Sequence, residues 1–412
     1  MRDFLPAEKA RREHALGVIR GVYSSHGFDE IETPVMEDAS RLHAGLGGDN
    51  EKLAFAVMKR GITPDDLTAA AASADALSLA DLGLRYDLTV PLARFYATHR
   101  AALPPVFRSI QIAPVWRAER PQKGRYRQFV QCDIDIIGEA GPLAELELLT
   151  ATVAALDALG LGGCTIRLND RRVLAGILGS WGVPDELRER ALITIDKLDK
   201  IGTGGVAAEL RELGIVDEGA DVAAELEALT TADWHLYDGV VPPPTWLDRD
   251  AYADLLALRQ TMPHAKIEFD PTLVRGMGYY TGTIFEIAHP DFGYSLGGGG
   301  RYDGMIGRFL GQDVPACGFS IGFERIVDLL AVRDEGRPRS VVLVYDPAVE
   351  PATLLKLKHE LVASGTRVRF ERRVKNARAL FERVTADGFD AVANVTPETT
   401  DAASLSFRDL TA

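Results

Sequence analysis

Hydrophobic positions near the start of the chain recur at helical spacing. Apolar residues between positions 16 and 23 share one face, and proline suits a first helical turn, so the pattern predicts a helix that begins near Pro6. Gly27 ends this pattern, and the alternation from Phe28 to Thr33 predicts a short strand.

Two long alternating segments, Val106 to Arg117 and Arg127 to Gly138, predict an antiparallel hairpin with a basic tip. In the second segment polar and apolar side chains alternate with a period of two, which places them on opposite faces of a sheet. The polar face contains Gln131, Asp133 and Asp135, and the apolar face contains Cys132, Ile134 and Ile136. We therefore expect the apolar face to pack on a core.

Helical patterns dominate from about Thr165 to Tyr237 and predict a mostly helical insertion, which a run of three prolines at 242–244 ends. Strand character returns from Tyr279 to Ile287. The stretch Gly297 to Gly300 lacks the spacing of a nucleotide-binding glycine loop, so we expect a flexible turn, with room for a small ligand as the alternative.

The end of the chain has the pattern of a separate small domain. Asp334 to Arg339 is charged, contains a glycine and a proline, and is typical of a linker. Strands and helices then alternate in the order β-α-β-α-β from Val341 to Val395. This order predicts a parallel or mixed α/β domain.

Composition limits the classes of function. The 412 residues include 46 basic and 60 acidic side chains, for a net charge of −14, which argues against a protein that coats DNA. A nucleic-acid partner that contacts a local basic patch remains compatible with this charge. The three cysteines are far apart, so neither a disulfide framework nor a thiolate zinc site is expected. We expect a cytoplasmic protein, because no apolar run approaches the length of a membrane span.

The predicted hairpin tip is the most informative basic segment. Five basic residues and one acid lie between Arg117 and Arg127. Arginine guanidinium groups bind phosphate in a bidentate manner. A charged hairpin tip taken alone is equally compatible with a phosphate site and with a solvent-exposed turn of no special function. The segment Arg367 to Arg383 holds seven basic residues against two acids, and an RNA-facing surface is favoured over a solvated helix face.

Other candidate residues have two interpretations each when taken alone. Asp87 and Thr89 could receive an ammonium group or cap the helix that starts near Val90. The segment Arg275 to Gly282 is either a turn with packed tyrosines or a close backbone approach to a ligand. Arg325 is either a surface arginine or a phosphate clamp.

Five separated motifs, taken together and in order, resemble class II aminoacyl-tRNA synthetases. The basic hairpin at 117–129 resembles their second motif, Gly322–Arg325 their third, and the helix and strand ending at Pro34 their first. The segments Leu273–Thr281 and Gly299–Gly304 resemble the signatures of the histidyl-tRNA synthetase family. Two further segments match that family, at 1–6 and 196–201.

This resemblance implies an α+β catalytic core, in which helices flank an antiparallel sheet of six or seven strands, with a helical insertion and a small C-terminal α/β domain. The implied segments are a first part of the catalytic core at 1–163, the insertion at 164–241, a second part of the core at 242–333 and an anticodon-binding-like domain at 334–412. The resemblance also implies a homodimer built partly through the first motif.

The resemblance assigns a set of residues to histidine: Asp87, Leu88, Thr89, Arg117, Gln131, Asp135, Arg275, Tyr279 and Tyr280. Within this set Asp87, Thr89 and Gln131 would hold the α-amino group. Asp135 and Tyr280 would read the imidazole, the acid by accepting an N–H and the hydroxyl by meeting the other nitrogen.

A second set is assigned to ATP: Arg117, Glu119, Arg125, Phe129 and Arg325. Arg117 would clamp the α-phosphate, Glu119 would accept from the adenine amino group, and Phe129 would stack on adenine. Arg325 would meet the γ-phosphate. Arg117 and Arg275 are the expected catalytic residues, with Mg²⁺ bridging phosphate oxygens and no protein metal ligand assigned.

The implied reaction is the ATP-dependent attachment of L-histidine to tRNA(His) through a histidyl-adenylate, a step of protein biosynthesis. Expected partners are histidine, ATP and tRNA(His), with neither DNA nor a membrane. Two alternatives stay open: a ligase paralogue that activates histidine or an analogue, and a non-catalytic regulatory subunit of ATP phosphoribosyltransferase. Gly278 replaces the acid that usually precedes the tyrosine pair and keeps the first alternative open, whereas Arg275 argues against the second.

Overall fold

The computed structural model describes residues 1–42, 53–120, 126–217, 219, 221–232, 234, 243–275, 278–330 and 338–410. The chain divides into two compact units. The first consists of Met1–Asp3 and Arg12–Leu330, and the second of Phe4–Arg11 and Ala331–Ala412.

The bounds of the described helices and strands are as follows. The helices are α1 (Pro6–Ser25), α2 (Ala39–Leu42), α3 (Pro64–Ser73), α4 (Thr89–His99), α5 (Leu143–Ala158), α6 (Arg171–Ser180), α7 (Arg188–Ile195), α8 (Leu198–Glu212), α9 (Val222–Thr230), α10 (Arg249–Thr261), α11 (Asp303–Leu310), α12 (Phe323–Val327), α13 (Pro351–Ala363) and α14 (Ala377–Ala386). The strands are β1 (Asp29–Glu30), β2 (Met36–Asp38), β3 (Phe55–Met58), β4 (Ala80–Leu84), β5 (Phe107–Trp116), β6 (Gln128–Ile137), β7 (Thr165–Asp170), β8 (Lys266–Phe269), β9 (Thr283–Ala288), β10 (Gly297–Arg301), β11 (Ala316–Ile321), β12 (Ser340–Tyr345), β13 (Arg367–Arg372), β14 (Ala391–Val395) and β15 (Phe407–Asp409).

A large sheet forms the centre of the first unit. Within the described residues it has eight strands in the order β1-β5-β6-β11-β10-β9-β7-β8. The six strands from β5 to β7 are antiparallel, whereas β1 and β8 add parallel edges. The predicted fold class is therefore confirmed, with eight strands where six or seven were expected.

The predicted hairpin is present as β5 and β6, which pair over their whole length. Cys132, Ile134 and Ile136 are fully buried in the main core, which also contains buried residues of α1 and α5. The prediction that this face of β6 packs on a core is confirmed. The hairpin tip at 121–125 lies outside the described residues.

The glycine-rich stretch is a strand at the centre of the sheet, so the expected flexible turn is wrong. β10 pairs with β9 on one side and β11 on the other. A Cβ on Gly299 would lie 2.8 Å from the Cα of Phe319, and one on Gly300 would lie 2.6 Å from the carbonyl oxygen of Thr283. Glycine is needed here because neighbouring groups approach the strand closely.

Helices α6 to α9 occupy most of the range expected for the insertion. The range begins differently from the prediction, since β7 is a strand of the large sheet with Ile166 and Leu168 fully buried. Helix α8 is kinked at Gly202, whose φ of 70° and ψ of 173° are not helical. The division of the chain into four segments stays a prediction.

A three-stranded sheet in the order β2-β4-β3 leads into α4. Asp87 lies just before this helix, and its Oδ1 accepts a hydrogen bond of 3.2 Å from the Val90 N–H. Asp87 thus bonds to the first turn of α4, although the residue at the N-cap is Leu88 and Thr89 already belongs to the helix. This bond uses one carboxylate oxygen and leaves the other for a different partner.

The second unit contains a sheet in the order β13-β12-β14-β15, in which β15 is the antiparallel member. α13 buries Leu354 and Leu357 in one core cluster, and α14 buries Leu380 and Val384 in another. The small mixed α/β domain is confirmed. Residues 331–337, which include most of the predicted linker, lie outside the described residues.

The basic segment of this unit, Arg367 to Arg383, is partly neutralised by ion pairs within the unit. Arg369 bonds to Asp387 at 2.8 Å, and Arg383 bonds to Glu371 at 2.7 Å. An RNA-facing role for this segment stays a prediction. Among the helices of the described residues, none combines the length and the hydropathy that a bilayer span requires.

Candidate active site

A cavity of about 630 Å³ lies over the polar face of β6 and is lined by residues of β6, β9, β10, β11, α12 and the start of α4. The sequence-predicted residues that line it are Asp87, Thr89, Arg117, Glu119, Phe129, Gln131, Asp135, Arg275, Tyr279, Tyr280 and Arg325. The fold therefore brings together residues that are up to 238 positions apart in the chain.

Two predicted residues are placed differently. Leu88 is fully buried in the chain interior and does not line the cavity; its carbonyl oxygen accepts a 3.0 Å hydrogen bond from the side chain of Gln111. Its contribution is thus to fix the backbone beside Asp87. Arg125 lies outside the described residues.

Three cavity residues carry buried polar atoms that have no hydrogen-bond partner among the described residues. Two are acceptors, Asp87 Oδ2 and Gln131 Oε1, and one is a donor, Arg275 Nε. Leaving such atoms unpaired costs roughly 1–3 kcal/mol each, so a ligand that pairs them gains this energy. The set suits a ligand with a donor cation near the acceptors and an anion near the arginine.

Three buried carboxyl groups give the cavity floor an acidic character. Burial raises the pKa of Asp87 to about 6, against the lowering effects of the Val90 N–H and the charge of Arg117. Burial raises the pKa of Asp135 to about 7, and the nearby charge of Asp87 adds to this rise. Burial and then the charge of Asp135 raise the pKa of Asp133 well above its usual range. A cationic ligand would relieve this concentration of negative charge.

The orientation of Asp135 is fixed by a residue that sequence reasoning did not assign to the site. The Tyr302 hydroxyl donates a 2.6 Å hydrogen bond to Asp135 Oδ1, and both side chains are buried. Gly318 lies directly opposite Asp135 on β11. A Cβ on Gly318 would lie 2.9 Å from the Asp135 Cγ and would collide with its Oδ1. The glycine makes room for the carboxyl group.

Arg275 lies against the glycine strand. A Cβ on Gly298 would be 2.6 Å from the Cζ of Arg275, so any larger residue here would displace the guanidinium from its position. Burial lowers the pKa of Arg275, but the nearby Tyr280, Glu286 and Asp196 raise it overall. The side chain is therefore charged at any physiological pH.

The basic side of the cavity carries two further arginines. The Arg117 Nε–H donates to the carbonyl of Tyr86 at 3.0 Å, and the guanidinium lies 5.1 Å from the ring centre of Phe129. Arg325 donates to the carbonyl of Ser295 at 2.5 Å, lies over the ring of Tyr294, and lines the cavity. These contacts fix positive charge at two places on the wall.

Glu324 supports this wall from beneath and was also missed from the sequence. Its carboxylate accepts from both terminal nitrogens of Arg12, at 2.5 and 2.7 Å, and from the N–H of Val130 at 3.2 Å. Both charged side chains are buried. The pair ties α1 and β6 to the helix that carries Arg325.

The missed residues share one property, which is that their partners are distant in the chain. Tyr302 is 167 positions from Asp135, and Arg12 is 312 positions from Glu324. No local pattern reports such a contact. The one local hint was the position of Tyr302 within the Gly299–Gly304 motif, which does not by itself name Asp135 as its partner.

A second cavity, of about 660 Å³, lies beside β7 and β8 and is lined by residues of α8 and α9. Asp199 lines both cavities, so the start of α8 forms part of the wall between them. Arg167 lines the second cavity and is joined to Glu286, which lines the first.

Solved structures show the same fold. The chain superposes on an ATP phosphoribosyltransferase regulatory subunit/histidyl-tRNA synthetase from Bacillus halodurans with a TM-score of 0.73 at 20% identity, covering 97% of each chain. It superposes on histidyl-tRNA synthetase from Nostoc sp. PCC 7120 with a TM-score of 0.71 at 25% identity, covering 99% of this chain and 93% of the other.

Sequence comparison is more specific. A histidine–tRNA ligase from Leifsonia xyli subsp. xyli is 61% identical, and the match covers 100% of this chain and 97% of that protein. The family model described as histidyl-tRNA synthetase matches residues 1–326, which include every cavity residue described above. With the acidic floor and basic wall in the places where its motifs fall, this chain belongs to the histidyl-tRNA synthetase family.

Proposed function

We propose that this chain attaches L-histidine to tRNA(His) in two steps, with ATP as the substrate that activates the amino acid. The observation that carries the proposal is the set of unpaired atoms in the cavity: two acceptors, Asp87 Oδ2 and Gln131 Oε1, and one donor, Arg275 Nε. An α-amino acid presents an ammonium donor and a carboxylate acceptor, which match them in sign. The name of the Leifsonia relative supports the same reaction.

In this proposal Asp135 selects histidine by accepting an N–H of the imidazole, with Tyr280 meeting the other nitrogen. The hydrogen bond from Tyr302 supports this role because it limits rotation of the carboxyl group. A side chain without an N–H gives this buried acid no donor beyond Tyr302, and such a mismatch discriminates strongly between substrates. Asp87, Thr89 and Gln131 hold the ammonium group.

ATP occupies the basic side of the cavity. Phe129 stacks on adenine, Glu119 accepts from its amino group, Arg117 binds the α-phosphate and Arg325 the γ-phosphate. The contacts of Arg117 and Arg325 with neighbouring carbonyls support these roles, because each contact holds a guanidinium at the cavity wall. Arg125 belongs to the same proposed set.

The first step needs no general base. The histidine carboxylate is already an anion and attacks the α-phosphorus in line with the departing pyrophosphate. Arg117 and Arg275 stabilise the negative charge that grows on the phosphoryl oxygens, and the partial burial of Arg275 strengthens that interaction. The terminal ribose hydroxyl of tRNA then attacks the adenylate carbonyl.

Mg²⁺ would accompany ATP. Among the described residues no cluster of three or more His, Cys, Asp or Glu side chains is placed to hold a metal. Mg²⁺ commonly takes few protein ligands and is bound largely by substrate phosphates and water, so this donor set fits an ion that arrives with ATP. The ion would supply further positive charge to the phosphates.

A cytoplasmic homodimer is also proposed, with the anticodon read by the C-terminal domain. Analytical ultracentrifugation measures the mass and so tests the dimer. Substitutions in the basic segment of the C-terminal domain test the anticodon proposal, and we expect them to lower tRNA charging while pyrophosphate exchange is unchanged. A monomer with full charging activity would contradict the dimer.

Histidine-dependent ATP–pyrophosphate exchange, followed by charging of tRNA(His), tests the main proposal. We expect both activities in the wild type, and a loss of exchange by about 10²–10³ in Arg275→Ala. Arg190→Ala is the matched control, since Arg190 is exposed on α7 and lies away from the cavity. Exchange without charging would favour the ligase paralogue. The absence of both would favour a regulatory subunit and contradict the proposal.

A further inference from the structure

Glu286 lies in a row of residues that crosses the large sheet beneath the cavity. On β9 it is directly opposite Gly298 of β10 on one side and Arg167 of β7 on the other. Because Gly298 has no side chain, the guanidinium of Arg275 lies over that position, next to Glu286. The register of three strands thus places an acid between two arginines.

Each carboxylate oxygen of Glu286 bonds to a different arginine. Oε2 accepts from Arg275 Nη1 at 2.8 Å, and Oε1 accepts from Arg167 Nη1 at 3.0 Å. Arg167 is held in turn by Asp270, whose Oδ2 accepts from its Nε at 2.7 Å. The second oxygen of Asp270 accepts from the N–H and hydroxyl of Thr272 at 2.9 and 2.7 Å.

This chain of contacts leaves little freedom to its members. The side chains of Glu286 and Asp270 are each 15% exposed, and those of Arg167 and Arg275 are each 26% exposed. Hydrogen bonds that involve ionised groups are short and strong when they are partly desolvated. Two cations and two anions alternate in this set of four side chains, so together they carry no net charge.

Within the described part of the chain, Glu286 supplies the hydrogen bond that the Arg275 side chain makes, and this bond is at Nη1. The opposite end of the group, Nε–H, is buried and unpaired. A planar guanidinium held at one nitrogen presents its remaining N–H groups in a fixed plane. The orientation of the free edge is therefore set by Glu286.

We propose that Glu286 is a positioning residue for histidyl-adenylate formation, which holds Arg275 at Nη1 so that its free N–H groups point at the reacting carboxylate and α-phosphate. Arg167 and Asp270 hold Glu286 in the same way from the side of the second cavity. This inference rests on the function proposed above for Arg275. It assigns a task to an acid that touches no substrate itself.

A positioning role makes different predictions from simple neutralisation of buried charge. Glu286→Gln keeps the shape of the side chain and removes its charge, whereas Glu286→Asp keeps the charge and withdraws it from Nη1. Loss of alignment acts on the transition state, so we expect both variants to lower kcat of exchange by about 10-fold or more with KM for histidine within about 3-fold. Neutralisation alone predicts a normal rate for Glu286→Asp.

Glu268→Gln is the matched control. Glu268 lies in the same cross-strand row, opposite Arg167, but pairs with the exposed Lys266 and does not contact Arg275. We expect wild-type kcat from this variant. Thermal unfolding of all variants separates a loss of folded protein from a loss of rate per folded site, and if Glu286→Gln does not fold, Glu286→Asp carries the test.

A double-mutant cycle with Arg275→Ala completes the experiment. If Glu286 acts through Arg275, adding Glu286→Gln to Arg275→Ala costs no further rate. A further loss equal to that of Glu286→Gln alone would overturn the proposal, as would a kcat within 2-fold of wild type for both Glu286 variants. Absence of exchange in the wild type would refute the proposed function instead, so the two failures are distinguishable.

Discussion

Gly318→Ala is the substitution that tests the histidine pocket most directly, because it adds one methyl group where Asp135 lies. The new Cβ would lie 2.9 Å from the Asp135 Cγ and 3.1 Å from the Tyr302 Cε1, and it would collide with Asp135 Oδ1. Gly318 pairs with strands on both sides, so the backbone cannot withdraw. The short side chain of Asp135 must rotate instead.

Rotation of Asp135 breaks its 2.6 Å hydrogen bond from Tyr302 and removes the acceptor from the imidazole. A hydrogen bond to a charged group is worth roughly 1.5–3 kcal/mol. Loss of this amount from histidine binding corresponds to an increase in KM of about 10- to 150-fold. ATP does not contact this part of the cavity in our proposal, so its KM is expected to change little.

Steady-state pyrophosphate exchange with varied histidine and then varied ATP measures both constants. Gly17→Ala is the matched control: Gly17 is exposed on α1, a Cβ there would meet nothing within 4 Å, and the change should stabilise the helix by about 0.5–1 kcal/mol. An unchanged histidine KM in folded Gly318→Ala would refute the reasoning. Equal increases in both KM values would also refute it, since they would indicate a general distortion.

Three further predictions concern pH, packing and ATP. Burial raises the pKa of Asp135 to about 7, and an imidazole N–H favours the ionised carboxylate, so histidine affinity should rise from pH 6 to pH 8. Calorimetry in buffers of different ionisation enthalpy should then show proton release on binding. Asp135→Asn should lose the component of proton release that comes from this carboxyl group. Arg12→Met removes the buried cation that pairs with Glu324 and leaves this carboxylate only the Val130 N–H and the more exposed Arg2 at 3.5 Å, so it should cost about 3 kcal/mol in the free energy of unfolding. Denaturant titration measures this cost, and an unchanged midpoint would contradict the role of the pair. Phe129→Ala removes the proposed stacking surface, worth roughly 1–3 kcal/mol, and should raise KM for ATP at unchanged KM for histidine.

Local sequence patterns predicted the hairpin of the large sheet and the C-terminal domain. The period-two alternation around Ile134 identified both the hairpin and the face that packs on the core, because every second side chain of a strand shares a surface. The order of strands and helices after residue 340 likewise predicted the C-terminal domain. The motifs located the cavity residues through their resemblance to a family.

The remaining features depend on contacts across the sheet. Gly297 to Gly300 lacks the spacing of a nucleotide-binding loop and so predicts a flexible turn, yet it forms a strand that neighbouring backbone and the guanidinium of Arg275 approach closely. Glu286 and Tyr302 acquire their partners only through strand register. A single sequence contains no information on register between strands so far apart, so these residues could not be assigned from it.

The order of strands in the large sheet also has a consequence for how the chain is made. β10 and β11 lie between β6 and β9, so the centre of the sheet is built from its last-synthesised strands. A nascent chain that ends before residue 316 lacks β11, so one edge of β6, the strand that carries Asp133 and Asp135, has no partner. An unpaired strand edge promotes aggregation. Such long-range pairing also slows folding. The arrangement that assembles the active site therefore delays its completion until nearly the whole first unit has left the ribosome.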